Sequence, residues 1–399
     1  MVIILKITYW ILYVSILVIL SYEIVLFILS FFAKPVSNSL SRKRKFLILI
    51  PAFRESEVLF STINSIKKLN FPADLFDAVL INDECDEKVI SKLKEEIKIL
   101  DVNLSSHSKI ESLKKAIDLT KGYDFIVILD ADNLVHPDFL FEINNSISDK
   151  TKVIQGLRLP KNLNSTFEKI DAMTDFVYNQ IDRIIPSRLG LTGTISGSGF
   201  AIRTDLFQEL IPIINTKGGF DKILQSELLL RNIPVEVCSN AIVFDEKTMT
   251  AKSYSKQRTR WLYYHFYNSF KYGLKLFFTG IINRNLNQIH LGLISIRPPI
   301  NLIYFISFIL IITGFWICSF CSITIFLALV LFSIIILQIL IKHKIFSFNL
   351  ILSLPLIFIN QLKSLFNLRT AKNDSLKTEH FDSKSVDEIL QNSEVTEEK

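Results

Sequence analysis

The 399 residues include only four cysteines, Cys85, Cys238, Cys318 and Cys321, and these lack the paired spacing with histidine that a zinc site requires. They read as reduced, structural residues. No small-residue cleavage pattern follows the first apolar block, only Lys34-Pro35, and the block is too long for the apolar region of a secretory signal. It is therefore kept in the mature protein. No nucleic-acid motif accompanies the net charge of +6, and the basic residues sit beside apolar segments. Membrane lipids with anionic headgroups, and no nucleic acid, are the partners this charge implies.

Apolar residues are abundant, at 49% with 32 Phe, beyond what a soluble protein needs. They collect before Ala33 and after Asn301, leaving Arg42 to about Lys275 with an ordinary mixture. Ile7 to Ala33, interrupted only by Glu23, is long enough for a transmembrane helix, giving an N-terminal anchor over 1–41. Ser41-Arg42-Lys43-Arg44-Lys45 follows at once and marks the cytoplasmic side, which places the next domain, 42–250, in the cytosol.

From Phe46 strands and helices alternate: FLILI, a helix over Ser56 to Leu69, FDAVLI, a charged helix from Glu87, VNL, a helix from Lys109 to Leu119, then FIVILD. Such alternation predicts an α/β domain with a mostly parallel sheet, whose ligands bind beyond the carboxyl ends of the strands. A helical stretch from Thr166 to Ile184 precedes a glycine-bearing loop, Thr192 to Gly199, whose backbone can approach a ligand closely. FAIR, IPVEV and AIVF read as strands and Asp221 to Arg231 as a helix. Tyr254 to Phe278, aromatic and basic, reads as one interfacial helix within a segment 251–299. Ile300 to Phe320 and Ile323 to Ile341 are each long enough to span, and Phe346 to Phe366 is a third candidate interrupted by Pro355, Asn360 and Gln361, so 300–366 holds two or three membrane helices. Arg369, Lys372 and Lys377 favour a cytosolic tail over 367–399, and Asp382 to Lys399 is expected to be disordered.

Asp130 and Asp132 leave a buried strand two positions apart, where carboxylates can reach a hard divalent cation bridging two phosphates. The competing reading is a cap for the helix starting near Pro137. Asp83 ends another strand of the same sheet and so lies on the same edge. Pro51-Ala52-Phe53-Arg54-Glu55 follows the first strand, with Pro51 ending its pairing and Glu55 placed to cap or to face a nucleotide.

With ILIPAFRE, INDECD, LDADN, GSGFAIR and QRTRW in this order between membrane blocks, the chain resembles the inverting family 2 glycosyltransferases. The likeness is to the membrane-bound synthases of cellulose, chitin, hyaluronan and poly-N-acetylglucosamine, over roughly Phe46 to Trp261 and the flanking helices. It implies a GT-A fold, a UDP-sugar donor, a divalent cation (Mg2+ or Mn2+) and a saccharide or lipid acceptor. It further implies an integral protein of a bacterial inner or plasma membrane. By that resemblance Asp83 is the uracil contact, Asp130 the nucleotide-sugar contact and Asp132 the metal ligand, with Pro51 and Glu55 beside the nucleotide. Lys109, in SKIESL, matches a basic diphosphate contact, although Ile110 stands where glycine is usual. Gln257, Arg260 and Trp261 match a Gln-x-x-Arg-Trp pattern that lines the acceptor and diphosphate site, together with Gly197 and Gly199; the glycine loop with Arg203 beyond it is similar to the family's acceptor-side segment, and Gln155-Gly156 resembles the strand beneath it. Leu376 to His380 matches a segment that closes over the site.

The family's catalytic base is the aspartate of a Glu-Asp pair, and no such pair occurs here. The best register puts Gly218-Gly219-Phe220-Asp221 on it, with Phe220 replacing the glutamate and Asp221 as the base; an N-cap role is the structural alternative. Glu227 lies nearly two turns further along the same helix. The resemblance favours an inverting transfer, processive or by single addition, from a UDP-sugar to a polysaccharide or saccharide acceptor at the membrane with a β-linked product; addition of a single sugar to a membrane lipid and a catalytically silent nucleotide-binding scaffold are the alternatives.

Overall fold

Phe46 to Ile50 is buried residue by residue, and its alternate side chains enter different cores. Leu47 and Leu49 join one cluster with Ile126, Ile128 and Phe200, whereas Phe46, Ile48 and Ile50 join another with Leu59, Leu80 and Phe139. A strand covered on both faces has no reason to alternate polar and apolar residues, which explains the unbroken apolar run. The computed structural model describes residues 2–33, 42–346, 363–368 and 384–397.

Eight strands form one sheet: β1 (Phe46–Phe53), β2 (Phe76–Asp83), β3 (Lys98–Val102), β4 (Phe125–Ile128), β5 (Leu134–Val135), β6 (Val153–Pro160), β7 (Phe200–Arg203) and β8 (Glu236–Asp245). Their order is β3-β2-β1-β4-β7-β6-β8-β5. β3, β2, β1 and β4 run parallel, β7 is antiparallel to both its neighbours, and β6 and β8 are parallel again. The expected mostly parallel α/β sheet is therefore present, with Asp83 ending β2 and the Asp130–Asp132 turn following β4 on the same edge. The third strand lies at Lys98–Val102 rather than at VNL, because the ladder with β2 ends at Val102. IPVEV and AIVF are one strand, β8, whose register on β6 shifts opposite Gly156. A Cβ at Gly156 would stand 2.5 Å from Ala241 O, so glycine permits that shift.

The helices are α1 (Val2–Ser30), α2 (Val58–Lys67), α3 (Glu87–Leu93), α4 (Lys109–Lys115), α5 (Phe139–Ser146), α6 (Thr166–Asn179) and α7 (Ile185–Arg188). They continue as α8 (Thr204–Leu210), α9 (Phe220–Leu230), α10 (Ala251–Asn268), α11 (Leu274–Ile282), α12 (Leu286–Ile296), α13 (Ile300–Ile317) and α14 (Ser319–Lys342). Caps set several starts: Asp86 accepts from Lys88 and Val89 N–H, and Ser165 with Glu168 closes a capping box on α6. The expected single helix over Tyr254 to Phe278 is instead α10 and α11 joined through a π-helical turn, Ser269–Gly273. That turn lets Gly273 meet Ile296 of α12, where a Cβ would lie 3.0 Å from Ile296 Cγ1.

α1, α13 and α14 are long and apolar enough to cross a membrane. Their shared seam is filled by Tyr9, Ile16, Leu20, Ile303, Leu310, Ile325 and Phe332. The bundle is tied to the α/β domain at one end. Arg297, before α13, pairs with Glu23 of α1 at 2.5 Å and with both oxygens of Asp182 at 2.8 and 2.9 Å. Beyond the end of α14, His343 stacks on Phe176 of α6 with ring centres 4.3 Å apart. The third candidate span falls largely outside the described residues, as do Arg369, Lys372, Lys377 and Leu376 to His380.

The disorder expected after Asp382 gives way to a helix over Val386–Glu397. Val386 is buried against Leu134 and Phe244, with Ile389 and Leu390 beside it, and Asp387 pairs with Lys68 of α2. The acidic composition hid an apolar stripe at positions i, i+3 and i+4, sufficient to dock a short helix. The C-terminal helix thus lies on the α/β domain's side of the bundle.

Candidate active site

Asp130 and Asp132 sit in the tight turn from β4 to β5. The Asp130 N–H donates to Ser198 Oγ at 2.9 Å and Asn133 Oδ1 at 3.1 Å, and the Thr62 hydroxyl donates to Ala131 O at 2.7 Å. α5 begins only at Phe139, with Asp138 in the cap position, so neither acid caps it. The Asp130 carboxylate accepts from Lys109 Nζ, which also donates to Gly197 O at 2.8 Å. Asp132 is buried; its Oδ1 accepts from the Asn133 amide at 3.3 Å and its Oδ2 from Glu246 N–H at 3.4 Å.

Among the described residues no group of three His, Cys, Asp or Glu side chains could hold a metal ion by itself. Two carboxylates on a cavity wall instead suit a cation of the magnesium type, which takes one or two carboxylates and completes its shell from phosphate and water. The donor set fits such an ion.

Pro51 and Glu55 line the same cavity at the end of β1. Asp83 ends β2 fully buried, behind a residue that motif reading missed. His107 Nδ1 lies 3.0 Å from Asp83 Oδ2, and its ring stacks on Phe53 with centres 4.6 Å apart. A carboxylate only accepts, so Nδ1 carries the proton. Asp83 Oδ1 is buried with no hydrogen-bond partner among the described residues.

On the opposite wall Gln155 staples the glycine loop: its Nε2 donates to Ser198 O at 2.9 Å and Gly199 O at 3.0 Å, while its Oε1 accepts from Ser196 N–H at 2.9 Å. Gly197, at φ +85, faces Asp221, whose Oδ2 would be 3.7 Å from a Cβ placed there. Gly199 lies behind the wall, where a Cβ would be 2.9 Å from Val243 Cγ2. Arg203 pairs with Asp205 on the surface. Gly219 caps α9 in a left-handed conformation, so Asp221 stands in the first turn, without a capping bond, and lines the cavity. Glu227 is engaged elsewhere, with Arg231 at 2.7 Å and Tyr272 at 3.1 Å.

α10 supplies Gln257, Arg260 and Trp261 to the cavity. Gln257 Oε1 is buried there with no partner among the described residues. Arg258, between the motif positions, pairs with Asp171 at 2.7 Å and lies 4.6 Å from the Trp261 ring centre, so one indole face is covered. Deeper in, Arg158 and Lys247 hold Asp175 and Asp245, with Arg158 to Asp175 at 3.0 Å and Lys247 to Asp245 at 2.6 Å. Burial works against the charge on Asp175, yet Lys247 and Arg158 outweigh it and keep this carboxyl below the usual range. Asp245 follows the apolar end of β8, so strand-end position was the one sequence feature pointing to this cluster.

These walls enclose one cavity of about 1010 Å³. Asp130 and Asp132 of the sheet edge line it, and so do Tyr304 of α13 and Ser333, Leu337 and Leu340 of α14. Beside the membrane helices the lining is mixed, with the Tyr304–Ser333 hydroxyl pair among Ile336, Leu337 and Leu340.

The comparisons agree with this architecture. Residues 43–264 match the family described as glycosyltransferase-like family 2. A curated relative, the probable glycosyltransferase YdaM of Bacillus subtilis strain 168, is 24% identical over 238 residues. That match covers 54% of each protein, so the chain aligns with about half the length of that relative. Among solved structures, the mannosyltransferase PcManGT of Pyrobaculum calidifontis, in complex with GDP-Man and Mn2+, has a TM-score of 0.55 at 12% identity, covering 91% of this chain and all of that one. The similarity is one of fold, the GT-A arrangement. The family match over more than half the chain identifies it: this protein belongs to the glycosyltransferase-like family 2.

Proposed function

We propose that the protein moves one sugar from a uridine diphosphate donor to the head of a membrane lipid, by a single displacement that inverts the anomeric centre and gives a β-linked product. The observation that carries this reading is the cavity lined both by Asp130, Asp132 and Asp221 and by apolar side chains of the membrane helices, Ile300 of α13 and Ile336, Leu337 and Leu340 of α14. A lipid can lay its chain against those side chains and its hydroxyl beside Asp221. The rival reading, a growing polysaccharide threaded through the membrane, requires a hydrated lumen. The described spans meet instead along a seam filled with apolar side chains.

In this reading Asp83 receives the base, beside Pro51 and Glu55, and Lys109 and Arg260 hold the diphosphate as charge-assisted donors. A divalent cation bound at Asp132, with Asp130 beside it, supplies neutralisation of the departing diphosphate. Asp221 takes the acceptor hydroxyl proton as that oxygen attacks from the face opposite the leaving group. Trp261 offers its uncovered face to a sugar ring, and Gln257 Oε1 accepts from a sugar or acceptor hydroxyl. Arg42, Lys43, Arg44 and Lys45 after α1 support a cytosolic catalytic domain in this reading, on the side where nucleotide-sugars are made.

The test is transfer from radiolabelled nucleotide-sugars by purified protein in lipid nanodiscs, followed by solvent partition. Label in the organic phase as a single-sugar adduct supports the proposal. Label confined to a water-soluble polymer of growing length contradicts it.

A further inference from the structure

A second reactive centre lies at the other end of the membrane bundle. Cys318 is the one residue between the helical spans α13 and α14, extended at φ −162 and ψ 95, and it forms the N-cap of α14. Cys321 follows in the first turn of that helix. Their sulfurs are 2.7 Å apart, and Cys321 N–H donates to Cys318 O at 3.0 Å. Two cysteines three positions apart across a helix start have α-carbons close enough for a disulfide without moving the backbone. Both are free thiols in this structure.

The surroundings set an order of reactivity. Cys318 is partly exposed, whereas Cys321 is 3% exposed and packs with Tyr9, Tyr13 and Ile325. Phe315, Trp316 and Phe320 around the turn are exposed, at 64, 90 and 71%. Aromatic side chains concentrated at the end of a span mark the membrane–water boundary, which brings Cys318 within reach of water-borne reagents. The ends of the bundle also differ in what they meet: Glu23, Arg297 and His343 lie against the catalytic domain, and the Cys318 turn lies a full span away.

We infer that Cys318 and Cys321 form a redox-responsive dithiol on the membrane face opposite the catalytic domain, closed by exchange with a disulfide-bearing oxidant. The Cys318 thiolate attacks one sulfur of the oxidant, forming a mixed disulfide and expelling one thiolate. The Cys321 thiolate then attacks Cys318 Sγ, expelling the second. Two protein thiols and one disulfide become one protein disulfide and two small thiols, so atoms and electrons balance. The closed bond ties the single-residue hinge between α13 and α14 to the first turn of α14. Neither the bond nor its test depends on sugar transfer.

The test uses the full chain in nanodiscs, equilibrated with oxidised glutathione, acid-quenched, denatured and labelled with a maleimide. Four cysteines make the count decisive. Two labels before reduction and four after it, with a Cys318–Cys321 cross-linked peptide by mass spectrometry, are expected. Cys321→Ser is expected to stop at one glutathione on Cys318. Four labels on the oxidised wild type, a link that joins Cys85 and Cys238 instead, or Cys321→Ser without an adduct each overturns the inference.

Discussion

Replacing Gly219 with alanine tests whether the start of α9 positions Asp221. Two independent effects act there. Gly219 has φ +63, a left-handed conformation that costs an alanine about 1–2 kcal/mol. Its new Cβ would also stand 2.7 Å from Tyr264 Cβ and 2.8 Å from Cγ, at the root of a side chain on α10. Rotating the ring cannot relieve that contact, so the two helices must separate, at an overpacking cost of about 1–3 kcal/mol. Together these give a destabilisation of about 2–5 kcal/mol. Opening the contact to van der Waals distance shifts Asp221 relative to Gln257 and Trp261 by about 1 Å, a displacement that costs on the order of 100-fold in rate. In the proposed reading the donor is held by Asp83 and Lys109 on the other wall and by Arg260 on α10 itself, so donor affinity is expected to fall, but by less than kcat does. Gly122→Ala is the control: φ is +88 but nothing lies within 4 Å of the added carbon, so it carries backbone strain alone. Thermal unfolding, donor-binding calorimetry and kcat on both variants separate the effects. A Gly219→Ala protein with wild-type kcat, or a Gly122→Ala protein equally slowed, would refute the positioning argument.

Two further perturbations follow from buried charge. His265 is pushed down to about 3 by burial, and its Nε2 meets Arg297 O at 2.9 Å. The unfolded imidazole titrates near 6.5 and so binds a proton that the folded one refuses between these values; stability is lost as pH falls below about 6.5, by up to about 1.4 kcal/mol per pH unit. Melting temperatures between pH 7.5 and 5 should show this slope, and His265→Gln should flatten it; an unchanged slope would assign the loss to other groups. Arg297→Met strands Glu23 and Asp182 without their counter-charge, a loss of about 3–5 kcal/mol in a buried pair. A melting temperature equal to wild type in nanodiscs would show that these carboxylates remain compensated by other means.

The parts of the fold that were legible are those whose burial leaves a local pattern. FLILI and FIVI read as strands because both faces are covered, and Asp130 and Asp132 stood out as acids at a strand end. β6 was legible only at Gln155-Gly156, through the resemblance, because the strand carries Arg158, an arginine satisfied by Asp175, Asp245 and Ser196 O from elsewhere. His107 escaped notice for the same reason: its partners Asp83 and Phe53 come from two other strands. Gly218 and Gly219 were read as motif neighbours of Asp221, yet their purpose appears only against Tyr264, 2.6 Å from a Cβ at Gly218. Asp221 was preferred to Glu227 on motif register alone; the partners that occupy Glu227, Arg231 and Tyr272, appear only in the structure.

The most direct measurement of the central claim is sugar transfer to nanodisc lipid by Asp221→Asn and Glu227→Gln at saturating donor. If Asp221 is the base, Asp221→Asn binds donor as the wild type does and loses about 10²- to 10⁴-fold in kcat, while Glu227→Gln retains it. Wild-type turnover by Asp221→Asn, or an equal loss in Glu227→Gln with its fold intact, would contradict the account.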